Sequence, residues 1–422
     1  MENLKTLTDL AAAGDPAAQY RLAAHYDRAG RKEEASALTA AAAAAGHPGA
    51  LYTQASNLLA QPPELMPVEE AVALLNRAAK AGGAAAMRQL AVLTALGLGL
   101  ARDWEKAVGL ISNAAKARHP PAMRELAILS KMTVRDQNTG AALLRQAALG
   151  GDWIALYLGL RRGNVLSAEE GKGLAAKLQR ARAPLSARLN DPTGEGVQDH
   201  SLAIDALGEK AGQYVPAAQE GGAVSLNASP DIFRIDHILT VEECDYLICA
   251  AAGLLTRSKV VDSEKSAASH AQFRSSDEAR FGLLDLDLVL IAIYARLAEA
   301  AGIPVENCEL MGVLRYQPGE EYKPHYDYLP EDAGDYSEVK RSGQRVRTLI
   351  APLNDGFTGG ETLFPKLGLS FAGKPGDACV FHNTDDAQTP YPETLHAGAP
   401  VTVGEKWLLT IWCRARPFWF WV

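Results

Sequence analysis

The phrase VEEAVALLNRAAKAGGAAAMRQLA at residues 68–91 returns as WEKAVGLISNAAKARHPPAMRELA at 104–127, an offset of 36 residues. Weaker copies flank the pair. Ala18, Ala50, Ala86, Ala122 and Ala155 mark equivalent positions at spacings of 32, 36, 36 and 33, each four residues after Gly14, Gly46, Gly82, Arg118 and Gly151 respectively. Alanine and leucine at helical spacing within such a period predict one helix pair per unit. A glycine closing one helix suits a left-handed cap, and small alanines let neighbouring helices approach closely. One pair alone leaves its apolar face bare, so about five units must stack on a shared core, forming a solenoid with an extended surface. Such an array either binds a partner or serves only to prop up or dimerise the rest of the chain.

The pattern changes further along. Helical spacing persists from about 165 in AEEGKGLAAKLQRARAPLSARL, then gives way to NDPTGEGVQDH and AQEGGAVSLNASP, which are turn and linker chemistry. A boundary is expected near 220–228: repeats over 1–165, a helical extension and linker over 166–227, and a second domain over 228–422. A strand, DIFRIDHI, and a helix, TVEECDYLICAAAGLL, with Thr240 at its N-cap and Glu243 three residues on, open this domain. One long helix, LDLDLVLIAIYARLAEAAG, precedes ELMGVLRY, EEYKPHYDYL, RVRTLIAPLN, ETLFP, LSFAG, DACVFHN, TLHAG and KWLLTIWCR. Short strands broken by glycine and proline, with a helix against them, predict an antiparallel barrel or sandwich.

Composition narrows the function. Apolar residues at 48% and charged ones at 22% of 422 residues are ordinary for a soluble globular protein. A net charge of −8 disfavours nucleic acid as a partner. No apolar run reaches the roughly 18–20 residues that span a bilayer, and the opening MENLKTLTDLAAAGDPAAQY lacks a signal peptide's apolar segment. A cytoplasmic protein without a membrane partner is expected; the oligomeric state leaves no trace in the sequence. The five cysteines are odd in number and lack Cys-x-x-Cys spacing, as expected of reduced, buried side chains.

In YKPHYDYL, at 322–329, His325 and Asp327 would leave the same face of a strand. With nine histidines in the chain, a His-x-Asp arises by chance about once in every two such proteins, so the pair needs a third ligand. His382 and His396 are the candidates downstream. His396 lies ten residues before Lys406, and Gly404 can fold the two segments into a hairpin. On KWLLTIWCR, the residues Lys406, Leu408, Thr410, Trp412 and Arg414 share one face. A lysine on an apolar strand is costly to bury unless an anion meets it, and a ligand carboxylate beside a metal would be that anion. Two histidines and a carboxylate with open positions form the facial triad of non-haem Fe(II) oxygenases. Three-ligand zinc is the competing reading, and the lysine favours iron with a keto-acid.

The stretches ENCELMGVLRYQPGEEYKPHYDY, GQRVRTLIAPLN, GGETLFP, GDACVFHN and LHAGAPVTVGEKWLLTIWCR, in that order across 230–416, resemble the 2-oxoglutarate-dependent prolyl 4-hydroxylases. The N-terminal pattern with AAKAG resembles Sel1-like repeats, relatives of the tetratricopeptide repeat. What the resemblance implies is an N-terminal α-solenoid joined to a C-terminal double-stranded β-helix, or jelly roll, with flanking helices. It further implies that His325, Asp327 and His396 bind Fe(II), and that Lys406 pairs with the far carboxylate of 2-oxoglutarate, helped by Tyr316 and Thr362. Oxygen is the second cosubstrate and ascorbate an accessory. Glu309, Tyr322, Arg345 and Trp412 fall where relatives line the peptide groove, and FRSS at 273–276 resembles a mobile loop over substrate. Read from the residues alone, Tyr316, Tyr322 and Tyr328 suit barrel packing as well, and Glu309 with Arg345 suits a surface ion pair. The tail RPFWFWV reads as a segment docked on the core or as an exposed partner site. The expected activity is hydroxylation of prolyl residues in a protein recruited by the repeats. The alternatives are the same iron chemistry on another residue or a small molecule, and an adaptor whose barrel is inactive.

Overall fold

The computed structural model describes residues 4–62, 65–133, 137–162, 165–173, 204–213, 222–258, 275–329 and 337–418. They divide into two compact units, the first drawing on 1–171, 191–214 and 283–291, the second on 172–190, 215–282 and 292–422.

Among the described residues, the first unit opens with ten helices. They are α1 (Leu4–Ala12), α2 (Pro16–Arg28), α3 (Lys32–Ala44), α4 (Pro48–Leu59), α5 (Val68–Lys80), α6 (Ala84–Leu96), α7 (Trp104–Lys116), α8 (Pro120–Thr133), α9 (Gln137–Leu149) and α10 (Trp153–Arg162). Each packs on the next, as a stack of helix pairs requires. The five marker alanines are fully buried at 0% exposure, where any larger side chain would push the helices apart. Gly14, Gly46, Gly82 and Gly151 have φ between 84° and 95°, the left-handed conformation that ends the first helix of a pair. Arg118 is held in the same region at φ 58°, although its side chain makes that conformation unfavourable. Asp15 and Asp103 then cap the N-termini of α2 and α7 by accepting the amides of Ala18 and Lys106.

The same unit contains a buried ion cluster. The Arg124 guanidinium donates to Asp152 Oδ2 at 2.7 Å and Asp287 Oδ2 at 3.0 Å, while Glu125 accepts the Leu288 amide at 3.1 Å. The helix Leu288–Ala300 therefore starts four residues later than its apolar pattern predicts, because the Asp287 carboxylate accepts the Leu290 amide and acts as its cap.

The strands of the second unit are β1 (Ala223–Ala228), β2 (Asp231–Ile235), β3 (Thr256–Arg257), β4 (Asp277–Arg280), β5 (Gly312–Tyr316), β6 (Tyr322–His325) and β7 (Arg345–Pro352). They continue as β8 (Thr358–Gly359), β9 (Thr362–Phe364), β10 (Leu369–Phe371), β11 (Ala378–His382), β12 (His396–Gly398), β13 (Val401–Val403) and β14 (Lys406–Arg414). The eight-stranded sheet runs β1-β2-β11-β7-β14-β5-β4-β3 and the four-stranded sheet β10-β9-β12-β6, with every pairing antiparallel. This is the antiparallel oxygenase architecture expected of the second half. Ile232, Leu314, Ile350, Phe364, Phe381 and Leu408, drawn from both sheets, form the core. The helix Val241–Ala252 carries the expected capping box, Thr240 and Glu243 each bonding the other's backbone amide. Of the closing tail, Phe418 is buried and its amide bonds Glu306 O at 2.7 Å, while Trp419–Val422 lie outside the described residues.

Candidate metal centre

Strand register brings the first two candidates together: His396 of β12 stands directly opposite His325 of β6. The pairing then slips, so that β6 advances three residues to Tyr322 while β12 advances two to Gly398. This bulge overturns the simple alternation that would turn Tyr322 away from His325. Their rings instead stack with centroids 3.5 Å apart at 16°. Strand β6 ends at His325, and Asp327 reaches the same place from the bend that follows.

The geometry also sets the tautomers. His325 Nδ1 lies 2.8 Å from Lys323 O and His396 Nδ1 3.0 Å from Thr394 O. A carbonyl accepts, so each Nδ1 carries the proton and each Nε2 offers a lone pair. The two Nε2 atoms lie 3.7 Å from Asp327 Oδ1 and 3.6 Å from Oδ2, and the three ligand atoms fall within 4.8 Å of one another. Burial alone would raise the Asp327 pKa, but the two imidazoles and the Thr348 hydroxyl outweigh it and hold the carboxylate below its usual range. Two imidazoles and one carboxylate, with each Nδ1 tied to a backbone carbonyl and each Nε2 left to face the centre, fit a divalent metal such as Fe(II). Phe381 and Phe364 pack on the His396 ring with centroids at 4.9 and 5.8 Å.

Lys406 is 5% exposed, paired across strands with Tyr316, and its amine donates to Gly360 O. Burial lowers its pKa to about 8, with Glu361 acting in the opposite sense. The three ligand candidates and Lys406 line one cleft. Tyr316, Thr362, Tyr322 and Trp412 line it too, with Leu408 and Thr410 on the same face of β14 as Lys406. Arg414, at the far end of β14, is not part of the cleft lining and lies with Nε 3.3 Å from Glu309 Oε1.

The remaining candidates stand apart from the cleft lining. Arg345 Nε and Nη2 donate to the two oxygens of Glu309 at 2.7 and 2.8 Å, and Glu309 is only 7% exposed. Of the two readings, ion pair or groove contact, the ion pair is formed, with Glu309 buried and Arg345 partly exposed. Arg345 and Arg280 stand over the Trp412 ring at 3.9 and 4.5 Å from its centroid. His382 ends β11 with Nε2 3.8 Å from Asp231, away from the three ligand candidates. Tyr328 stacks on Tyr326 at 4.6 Å. Ser275 bonds Glu321, while Phe273 and Arg274 of the expected mobile loop lie outside the described residues. All five cysteines are buried and none forms a disulfide. Sequence reasoning missed Thr348 and Asn383, which bond in series to Asp327. A single polar residue facing inward on RVRTLIAPLN, in step with Ile350, was the available signal for Thr348.

Residues 311–414 match the model of the 2OG-Fe(II) oxygenase superfamily. Prolyl 4-hydroxylase 1 of Arabidopsis thaliana is 36% identical over 203 residues, covering 44% of this chain and 70% of that protein. Among solved structures, the 2OG complex of the viral collagen prolyl hydroxylase from Paramecium bursaria Chlorella virus-1 is 32% identical, covering 44% of this chain and 96% of that one, with a TM-score of 0.34. A Sel1 repeat protein from Oxalobacter formigenes is 19% identical, covering 42% of this chain and 84% of its own, also with a TM-score of 0.34. With more than two thirds of a plant relative matched at this identity, and the superfamily model spanning β5 to β14, the chain belongs to the prolyl 4-hydroxylases and is a 2-oxoglutarate-dependent dioxygenase.

Proposed function

We propose that the chain hydroxylates prolyl residues in a protein or peptide captured by its helical repeats. In this reading, residues 1–165 recruit, 166–227 connect and end in the edge strand β1, and 228–422 carry the chemistry. The observation that supports it best is one cleft lined by His325, Asp327, His396 and a buried Lys406. His325, Asp327 and His396 hold Fe(II), which with 2-oxoglutarate and oxygen supplies the oxidising power for an unactivated C–H bond. Lys406 receives the far carboxylate of 2-oxoglutarate, exchanging the Gly360 carbonyl for a charged partner. Tyr316 and Thr362 offer hydroxyls beside it.

Tyr322 and Trp412 present aromatic faces to the reacting residue, a surface suited to a proline ring. Trp412 Nε1 is buried and lacks a hydrogen-bond partner among the described residues, so a peptide carbonyl would satisfy it. Arg345, held rigid by Glu309, stacks on Trp412 and fixes its plane. The repeats raise the effective concentration of a bound polypeptide near the cleft. No helix among the described residues is long and apolar enough to cross a membrane, and five buried cysteines outside any disulfide suit a reducing compartment such as the cytoplasm.

The test is exposure of a proteome to the full chain with Fe(II), 2-oxoglutarate and air, followed by peptide mass spectrometry and succinate assay. One added oxygen on proline per succinate is expected. Oxygen on another residue type, or succinate without modified protein, would move the substrate assignment. Partner capture that survives His325→Ala, with no keto-acid consumed by the parent chain, would replace the enzyme with an adaptor.

A further inference from the structure

Two buried polar side chains outside the ligand trio converge on Asp327. Thr348 stands on β7 opposite Phe381 of β11 and Trp412 of β14. It faces inward with Ile350, a residue of the cleft wall. Its hydroxyl donates to Asp327 Oδ2 at 2.7 Å. A threonine hydroxyl has a single proton and two acceptor sites, so where that proton points depends on what the oxygen receives. Asn383 Nδ2 donates to Thr348 Oγ1 at 2.9 Å, which occupies the acceptor side and directs the proton to the carboxylate. The Asn383 backbone is fixed in turn, its amide on Val346 O and its carbonyl receiving the Tyr391 amide, each at 2.8 Å.

Thr348 is 1% and Asn383 0% exposed, so water does not compete for these bonds. The Asn383 Oδ1 atom is buried and unmatched among the described residues. Turning the amide over would offer that oxygen to the Thr348 proton and strip Asp327 of its donor. We infer that Asn383 and Thr348 are positioning residues for the metal site, a directed relay that fixes the rotation of the Asp327 carboxylate and leaves Oδ1, beside His325, to bind the divalent ion. The inference rests on the reading of His325, Asp327 and His396 as metal ligands.

The test is Co(II) titration of the intact chain by calorimetry, with the visible absorption of the bound ion as a second readout of coordination. Parent protein should bind one ion. Thr348→Val, which keeps the shape and removes the hydroxyl, should weaken binding by about 10–100-fold, the scale on which outer hydrogen-bond partners act. Thr348→Ser should keep the parent's affinity and spectrum. Asn383→Asp, acceptor-only at nearly constant size, should weaken binding as Thr348→Val does. Melting of the metal-free variants separates loss of fold from loss of orientation: a merely structural role lowers the melting temperature and leaves the affinity of folded protein unchanged. Parent-like affinity in Thr348→Val, or equal losses in the serine and valine variants, overturns the relay. Parent-like affinity in Asn383→Asp overturns the part given to Asn383. Failure of the parent itself to bind Co(II) would refute the metal site as well.

Discussion

The two units place their key residues in opposite ways. In the helical unit the decisive features are neighbours in sequence: a left-handed residue, then four positions later a buried alanine, at 14/18, 46/50, 82/86, 118/122 and 151/155. In the sheet unit they are distant: His396 meets His325 through strand register, Lys406 reaches Gly360 across 46 residues, and Arg345 reaches Glu309 across 36. Repetition spreads stability over near-equivalent sites, whereas the cleft concentrates function on a few positions without copies. Damage to the repeats should therefore appear as lost stability, and damage to the cleft as lost chemistry in a folded protein.

The largest effect tests the second half of that contrast. His396→Ala should lower 2-oxoglutarate turnover more than about a hundredfold, beyond what outer partners alone control, while near-ultraviolet circular dichroism stays that of folded protein. Turnover at the parent rate would remove His396 from the site. Next comes the ion cluster: Arg124→Ala leaves Asp152 and Asp287 without their shared guanidinium and should cost about 3–5 kcal/mol in urea unfolding. A smaller loss would mean that the cluster takes in water.

The third prediction concerns pH. Burial lowers the Lys406 pKa to about 8, so the amine is charged below that value and neutral above it. Affinity for dianionic 2-oxoglutarate should hold below pH 8 and fall by up to about tenfold per unit as pH rises past it. Calorimetric titration across that range reads the step, and a flat profile would detach the carboxylate from Lys406. The smallest effect lies at the odd repeat. Arg118→Gly should stabilise the protein by about 0.5–1 kcal/mol in thermal melts, because a left-handed residue at φ 58° favours glycine. Loss of stability would give the arginine side chain an anchoring role.

Much of this contrast was legible in the residues. The helix pairs and their caps followed from period and glycine placement, because both act within a few residues along the chain. The longer strands were legible as apolar stretches, and β14 matches KWLLTIWCR from end to end, but β1 falls in AQEGGAVSLNASP, whose glycines and asparagine read as linker until β2 pairs with it. What alternation missed is non-local. The bulge that stacks Tyr322 on His325 appears only once β12 pairs with β6. The late start of the helix at Leu288 depends on Asp287, whose carboxylate also takes up Arg124 from a distant repeat. Thr348 and Asn383 are ordinary strand residues until folding aligns them behind Asp327.

The most direct test of the central claim is an anaerobic crystal structure with Mn(II) and 2-oxoglutarate, read from the metal's anomalous signal. The account predicts one strong peak bounded by His325 Nε2, His396 Nε2 and an Asp327 oxygen, with the far carboxylate of 2-oxoglutarate on the Lys406 amine. A peak elsewhere, or a keto-acid whose far carboxylate avoids Lys406, would contradict it.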